Sequence, residues 1–197
     1  MQIGILGAGN VGLTVGRRLV DAGHEVKLSS RRAPHDLRPV ADGIGAEAVS
    51  VIDAATAELV LLAVPWTAVP DILDGLPDWQ SRILVDATNP FVTFEPLQLA
   101  DLGGRSASVI VAKHAPGARV VEAFNSIGMT SLDEGPRLGP ARRVLFVSGD
   151  DDGSKQSVQR LITELGYAPI DLGGLEEGGR LQQAGGRLAG IDLFVNQ

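Results

Sequence analysis

The stretch Met1 to Gly12, MQIGILGAGNVG, constrains what this chain can fold into more than any other. Ile3, Ile5 and Leu6 form a short apolar run at the start, as a strand buried in a parallel sheet would. Gly7-Ala8-Gly9-Asn10-Val11-Gly12 follows without a gap and fits G-x-G-x-x-G. Leu13 to Val20 then carries apolar residues at helical spacing. In that setting Gly7 permits the tight turn out of the strand. Gly9 lets backbone approach a pyrophosphate, and Gly12 lets helix and strand pack closely. The free N–H groups and positive dipole end of the helix would face the phosphates. Three spaced glycines mean little by themselves in a chain with 25 glycines among 197 residues. The strand before them and the helix after them turn the spacing into an expectation of dinucleotide binding.

The end of the second strand, Glu25 to Ser29, bears on which dinucleotide. An NAD site places an acid there to accept from the ribose 2′-OH. This chain has Ser29-Ser30-Arg31-Arg32 instead. A carboxylate would repel a 2′-phosphate, whereas Ser30 and the guanidinium forks of Arg31 and Arg32 attract one. NADP is therefore the expected cofactor.

The rest of the chain alternates strands and helices, which predicts an α/β fold: a doubly wound, mostly parallel sheet of Rossmann type with a short C-terminal α/β extension. Strands are expected at residues 46–49, 59–64, 83–87, 119–124, 143–148 and 167–171. Ligands on such sheets sit outside the carboxyl ends of the strands. That places the backbone of Ala63, Val64 and Pro65 against the cofactor, and Thr88 and Asn89 at the next strand end. Asn125 and Ser126 follow the strand after that. Thr88 and Asn89 could orient a carboxamide or close an Asn-Pro turn on their own backbone. Residues 91–101 read as a loop walling a second-substrate pocket, residues 130–141 as a connector, and residues 175–190 as a glycine-interrupted final helix. Asp150-Asp151-Asp152 lacks the spacing of a calcium loop and reads as a helix start stabilised by the dipole. One domain over residues 1–197 is expected, with its core at 1–126 and the extension at 140–197.

Composition narrows the function further. Net charge is −7, from 17 basic and 24 acidic residues, which argues against a nucleic-acid surface. With no cysteine, thiol catalysis, disulfides and cysteine-ligated metals are excluded. No metal ligands are expected. No apolar run reaches membrane-spanning length, and the chain enters its first strand at once. A cytoplasmic protein without a membrane partner is therefore the expectation. The expected partners are a small-molecule or cofactor substrate and, at most, a second copy of the chain.

Several stretches together resemble one family: GILGAGNVG at the start, SSRR at 29–32, AVPW at 63–66 and VDATNP at 85–90. VVEAFNS at 120–126, VSGDDDGSK at 147–155 and LGYAPIDLG at 165–173 complete the set. The chain is similar, nearly end to end, to the small NADP-binding oxidoreductases related to F420H2:NADP+ oxidoreductase. It is more distantly similar to the cytoplasmic domain of the six-transmembrane ferric reductases. The resemblance implies that Gly7, Gly9, Asn10 and Val11 line the pyrophosphate and that Ser30, Arg31 and Arg32 hold the 2′-phosphate. It also implies that Ala63, Val64, Pro65 and Asn125 border the nicotinamide. Hydride would pass directly between NADPH and a deazaflavin (coenzyme F420) or flavin, with no catalytic side-chain acid or base. The chain departs from the family in its glycine-rich C-terminus, where relatives shape the second-cofactor pocket, and in Phe124-Asn125-Ser126. Two other readings stand beside this one: an NADP(H)-sensing protein without turnover, and a dehydrogenase of small molecules. The latter usually adds a large helical domain, which the residues after the strand expected at 143–148 are not expected to supply.

Overall fold

The structure is a computed structural model, in which residues 1–196 are described. The first half runs β1 (Gln2–Leu6), α1 (Asn10–Asp21), β2 (Glu25–Ser29), α2 (Pro34–Asp42), β3 (Glu47–Ala48), α3 (Val51–Ala55) and β4 (Leu59–Leu62). A 3-10 turn at Trp66–Ala68 leads into α4 (Val69–Leu73), then β5 (Ile83–Asp86), β6 (Phe91–Phe94), β7 (Leu97–Leu99) and α5 (Ala107–His114). The second half has β8 (Arg119–Ala123), α6 (Met129–Glu134), β9 (Arg137–Leu138), β10 (Ala141–Gly149) and α7 (Asp152–Glu164). β11 (Ala168–Asp171), α8 (Leu175–Gln182) and β12 (Phe194–Val195) complete it.

The main sheet has the strand order β11-β10-β8-β5-β4-β1-β2-β3. From β3 to β8 every pairing is parallel. β10 joins β8 antiparallel, and β11 runs parallel to β10. The fold is thus the expected doubly wound, mostly parallel sheet. The chain reverses direction across the sheet between β1 and β4, which opens a crevice at their carboxyl ends.

Alternation along each strand feeds two cores. Ile3, Ile5, Leu59 and Leu61 turn to one face, where α1 contributes Val15 and Leu19 and α7 contributes Val158 and Leu161. Leu6, Val60, Leu62 and Leu84 turn to the other, under Ala54 of α3, Val69 and Leu73 of α4, Val111 of α5 and Leu175 of α8. Ser50 caps α3 by accepting from the Asp53 N–H at 3.1 Å, and Asp151 caps α7 by accepting from the Ser154 N–H at 2.8 Å. The acid run at 150–152 is therefore a helix start, as its position at the head of an amphipathic segment implied.

Three segments differ from expectation. Residues 91–101 form the antiparallel hairpin β6–β7 rather than a loop. Its apolar residues are not alternately covered: Val92, Phe94, Leu97 and Leu99 are all exposed, so no period-2 burial pattern marked them. The connector after β8 contains α6, whose Leu132 is buried against the α1 face; one apolar anchor in six residues is too short to register as periodicity. The final helix stops at Gln182, not near Gly190. Gln183 is extended, its side chain accepts from the Ala107 N–H at 2.6 Å, and Gly185 follows at φ +87°.

Candidate cofactor-binding site

The loop from β1 into α1 is held by its neighbours. The Gly7 N–H donates to Ser29 O at 3.0 Å, and the Ser29 hydroxyl donates to Ile5 O at 2.9 Å. The three motif glycines have separate tasks. Gly7 sits at φ +118°, and a Cβ there would lie 2.2 Å from Ala63 O. A Cβ on Gly12 would lie 2.0 Å from Gly7 O. A Cβ on Gly9 would meet nothing within 4 Å. Gly7 and Gly12 thus serve the fold, while Gly9 keeps a space clear.

That space lies before the start of α1. Gly9 is the N-cap, no side chain caps the helix, and no acid occupies its first turn. The first-turn N–H groups of Asn10, Val11 and Gly12 are consequently free for an external acceptor, with the helix dipole behind them.

A cavity of about 490 Å³ opens here, within the usual range for a small-ligand site. Of the residues singled out in the sequence it brings together Gly7, Gly9, Ser30, Arg31, Arg32, Ala63, Val64 and Pro65. Arg31 and Arg32 are exposed at its lip, and the Arg32 N–H donates to Ser30 Oγ at 3.0 Å, which orders the turn that carries them. Neither guanidinium is in an ion pair among the described residues. Among the described residues they are the only ionisable side chains lining the cavity.

Sequence reasoning missed the apolar wall opposite: Val51, Ala68 and Ile72. Ala68 and Ile72 stand three and seven positions after Pro65, a helical spacing that would have placed them on the face turned back toward the strand end. Trp66 is half-buried and packs against the α4 side of the core rather than lining the cavity.

Thr88, Asn89 and Asn125 do come together, but in a network of their own beside the cavity. Asn89 donates to Asn125 O at 2.8 Å and accepts from the Ala184 N–H at 2.8 Å. Asn125 donates to Glu122 Oε1 at 2.6 Å and to Thr88 O at 3.3 Å, and accepts from Gln182 Nε2 at 3.1 Å. Phe124, just before it, is held at φ +67°, an unusual setting for a bulky residue. Both asparagine amides are therefore engaged by the protein, tying the ends of β5 and β8 to α8 and the turn after it. Thr88 Oγ1 is buried and makes no hydrogen bond.

Two buried acids belong to this network. Asp86 accepts from Ser108 Oγ at 2.6 Å and from the Thr88 N–H at 2.9 Å, and burial pushes its carboxyl up. Glu122, its register partner on β8, is pushed up to about 8 by burial and then by the charge of Asp86.

No helix among the described residues is long and apolar enough to cross a membrane, and none of their His, Asp or Glu side chains form a group of three or more able to hold a metal.

Comparison with known proteins agrees with this architecture. The family model for NADP oxidoreductase, coenzyme F420-dependent, matches residues 2–90. The chain is 28% identical over 193 residues to the F420-dependent NADP reductase of Methanothermobacter marburgensis, covering 89% of this chain and 85% of that protein. It is 29% identical over 177 residues to the rat metalloreductase STEAP3, covering 88% of this chain but spanning only 34% of that protein's length. Among solved structures, a hypothetical protein from Sinorhizobium meliloti superimposes with a TM-score of 0.92 at 38% identity, over 100% of this chain and 97% of the other. The chain is thus similar, over residues 2–90 by the family model and over 89% of its length by comparison with one reductase, to the coenzyme F420-dependent NADP oxidoreductases.

Proposed function

We propose that this chain binds NADP(H) in the crevice between β1, β2 and β4 and passes a hydride between it and a deazaflavin (coenzyme F420) or flavin-type acceptor. The observation that carries the reading is the pairing of a clear space over Gly9, at an uncapped helix start, with two unpaired arginines at the end of β2. The residues present fit the cofactor. The N–H groups of Asn10, Val11 and Gly12 would hold the pyrophosphate, and Ser30, Arg31 and Arg32 the 2′-phosphate. Ala63, Val64 and Pro65 would border the path toward the nicotinamide. We further assign Thr88, Asn89 and Asn125 to the rim on the acceptor side, as groups that set the shape of the strand-end loops.

Bound NADPH supplies the hydride. The chain's part is to position and to exclude water. The cavity lining has no His, Lys, Asp or Glu to give or take a proton at a carbonyl. Transfer between two stacked rings does not need one, because orientation supplies most of the rate. Residues 1–197 act as one unit in this reading. Its test is the loss of NADPH near-ultraviolet absorbance with coenzyme F420, flavins and simple ketones as acceptors. Turnover with a deazaflavin or flavin and none with ketones is expected. Ketone turnover without a flavin-type acceptor would refute it, and tight NADPH binding without turnover of any acceptor would point to a redox sensor.

A further inference from the structure

Asp86 and Glu122 stand opposite each other on adjacent parallel strands, and neither has any exposed surface. Strand spacing alone puts their backbones about 5 Å apart. Two carboxylates so placed, away from water and without a cation, cannot both be charged. The groups facing Glu122 can be taken element by element. β5 presents Asp86, the one ionisable group acting on it. α5 and its cap present Ser108 and Ser106, β10 presents Ser148, and α8 presents Gln182 and the backbone of Gly179. Lys155 is turned away into pairs with Asp152 and Asp171, and Arg119, at the far end of β8, pairs with Asp151.

Hydrogen bonding says which acid keeps the proton. Asp86 has two donors aimed at it, Ser108 Oγ and the Thr88 N–H. Glu122 has one at hydrogen-bond distance, the Asn125 amide on Oε1; Ser108 and Gln182 also face it, but Ser108 Oγ donates to Asp86 at 2.6 Å and Gln182 Nε2 to Asn125 at 3.1 Å, and its buried Oε2 has no partner at bonding distance. Donors favour the ionised form, so the proton belongs on Glu122.

The cover over Glu122 is α8. A Cβ on Gly179 would lie 2.5 Å from Glu122 Oε2, and one on Gly178 would lie 2.3 Å from Ser148 Oγ. The helix is glycine at both points because it lies directly on this polar floor. Its seat is completed by Gln182, which donates to Asn125 and accepts from Ser148. Beyond it the chain reaches both strand ends: the Ala184 N–H donates to Asn89 Oδ1 at 2.8 Å, and the Gly190 N–H to Ser126 O at 2.7 Å.

We propose that Glu122 is a positioning residue whose retained proton seats α8 and the segment after it on the loops beyond β5 and β8, and that unseating the helix releases that proton. The placement of those loops on the acceptor side rests on the function proposed above; the seating of α8 does not.

The sign follows from linkage. Lifting α8 exposes Glu122 to water, where it ionises from about pH 4.5, whereas seated it holds its proton to about pH 8. Between those values the open form binds fewer protons, so opening grows easier as pH rises, and above them the dependence levels off.

Amide hydrogen exchange on the cofactor-free chain tests this without reference to NADP. Protection of the α8, Ala184 and Gly190 amides, corrected for intrinsic rates, should fall by up to about tenfold per pH unit between about pH 5 and about pH 8. In Glu122→Gln, which keeps the acceptor for Asn125 and cannot ionise, it should be flat. The idea is overturned by pH-independent protection in the parent chain, or by a slope that survives in the variant. It is also overturned if α8 amides exchange no faster than those of β1 and β4, since no local opening would then exist. Carbon NMR of the Glu122 carboxyl needs no variant: it should be protonated near neutral pH, and an ionised carboxyl there would overturn the proposal.

Discussion

Replacing Gly9 by alanine separates the phosphate-loop reading from a purely structural one. Gly9 has φ −88° and ψ −174°, an extended setting open to any L residue, and a Cβ there touches nothing within 4 Å. Loss of unfolded-chain freedom stabilises such a change by about 0.4–1 kcal/mol. Alanine is a poorer N-cap than glycine by roughly the same amount. The folded chain without cofactor should therefore keep its stability to within about 0.5 kcal/mol. Cofactor binding should not survive as well. The methyl group occupies the clear space before the helix start, and losing one charge-assisted N–H contact to phosphate costs about 1.5–3 kcal/mol, or one to two decades in Kd. Gly9→Val should lose more. Gly12→Ala is the control: its Cβ would lie 2.0 Å from Gly7 O, so it should destabilise the chain by about 1–3 kcal/mol or more, with or without ligand. Thermal unfolding without cofactor, followed by NADPH calorimetry, reads both effects. A Gly9→Ala protein that unfolds like the parent and binds NADPH equally well would refute the assignment of that space.

The other expectations concern charge. Arg31→Asp should cost one to two decades of NADPH affinity, from about 1.5–3 kcal/mol per charge-assisted phosphate contact, and shift preference toward NADH. Equal NADPH and NADH affinities in the parent chain, by calorimetry, would defeat that reading. Global stability should fall as pH rises from about 4.5 to about 8, because the Glu122 carboxyl is pushed up in the folded state and the unfolded state loses its proton first. Against Glu122→Gln in urea titrations the difference should reach the order of 3–5 kcal/mol and then level off; a difference that does not change with pH would contradict it. The hydride-transfer step at saturating NADPH, followed by stopped flow, should be nearly independent of pH. A steep dependence abolished by one substitution would point to a side-chain acid instead.

Much of the fold was legible because its signals are local. A strand, a glycine turn and an amphipathic helix lie within the first twenty residues, and the buried strand β4 announces itself as the unbroken apolar run Leu59 to Leu62. The place of Ser30, Arg31 and Arg32 is likewise readable, because they directly follow the end of β2, where the cavity includes them. Strand alternation also located the cavity, since the carboxyl ends of β1, β2 and β4 must converge at the reversal of strand order. The tasks of individual residues were not legible. Gly7, Gly9 and Gly12 look alike in the sequence, and only their neighbours, Ala63 O, open space and Gly7 O, tell them apart. In the sequence Asn89 reads either as a group for a carboxamide or as part of an Asn-Pro turn on its own backbone, and Asn125 as a polar group at a strand end. They are in fact bonded to Ala184 and Gln182, residues 95 and 57 positions away. The pairing of Asp86 with Glu122 is equally invisible, because 36 residues separate them and only the parallel register of β5 and β8 sets them side by side. Local sequence determines which elements form and where their ends lie; which polar groups remain free for a ligand is decided by long-range packing, since a buried donor or acceptor takes whatever partner the fold brings within reach.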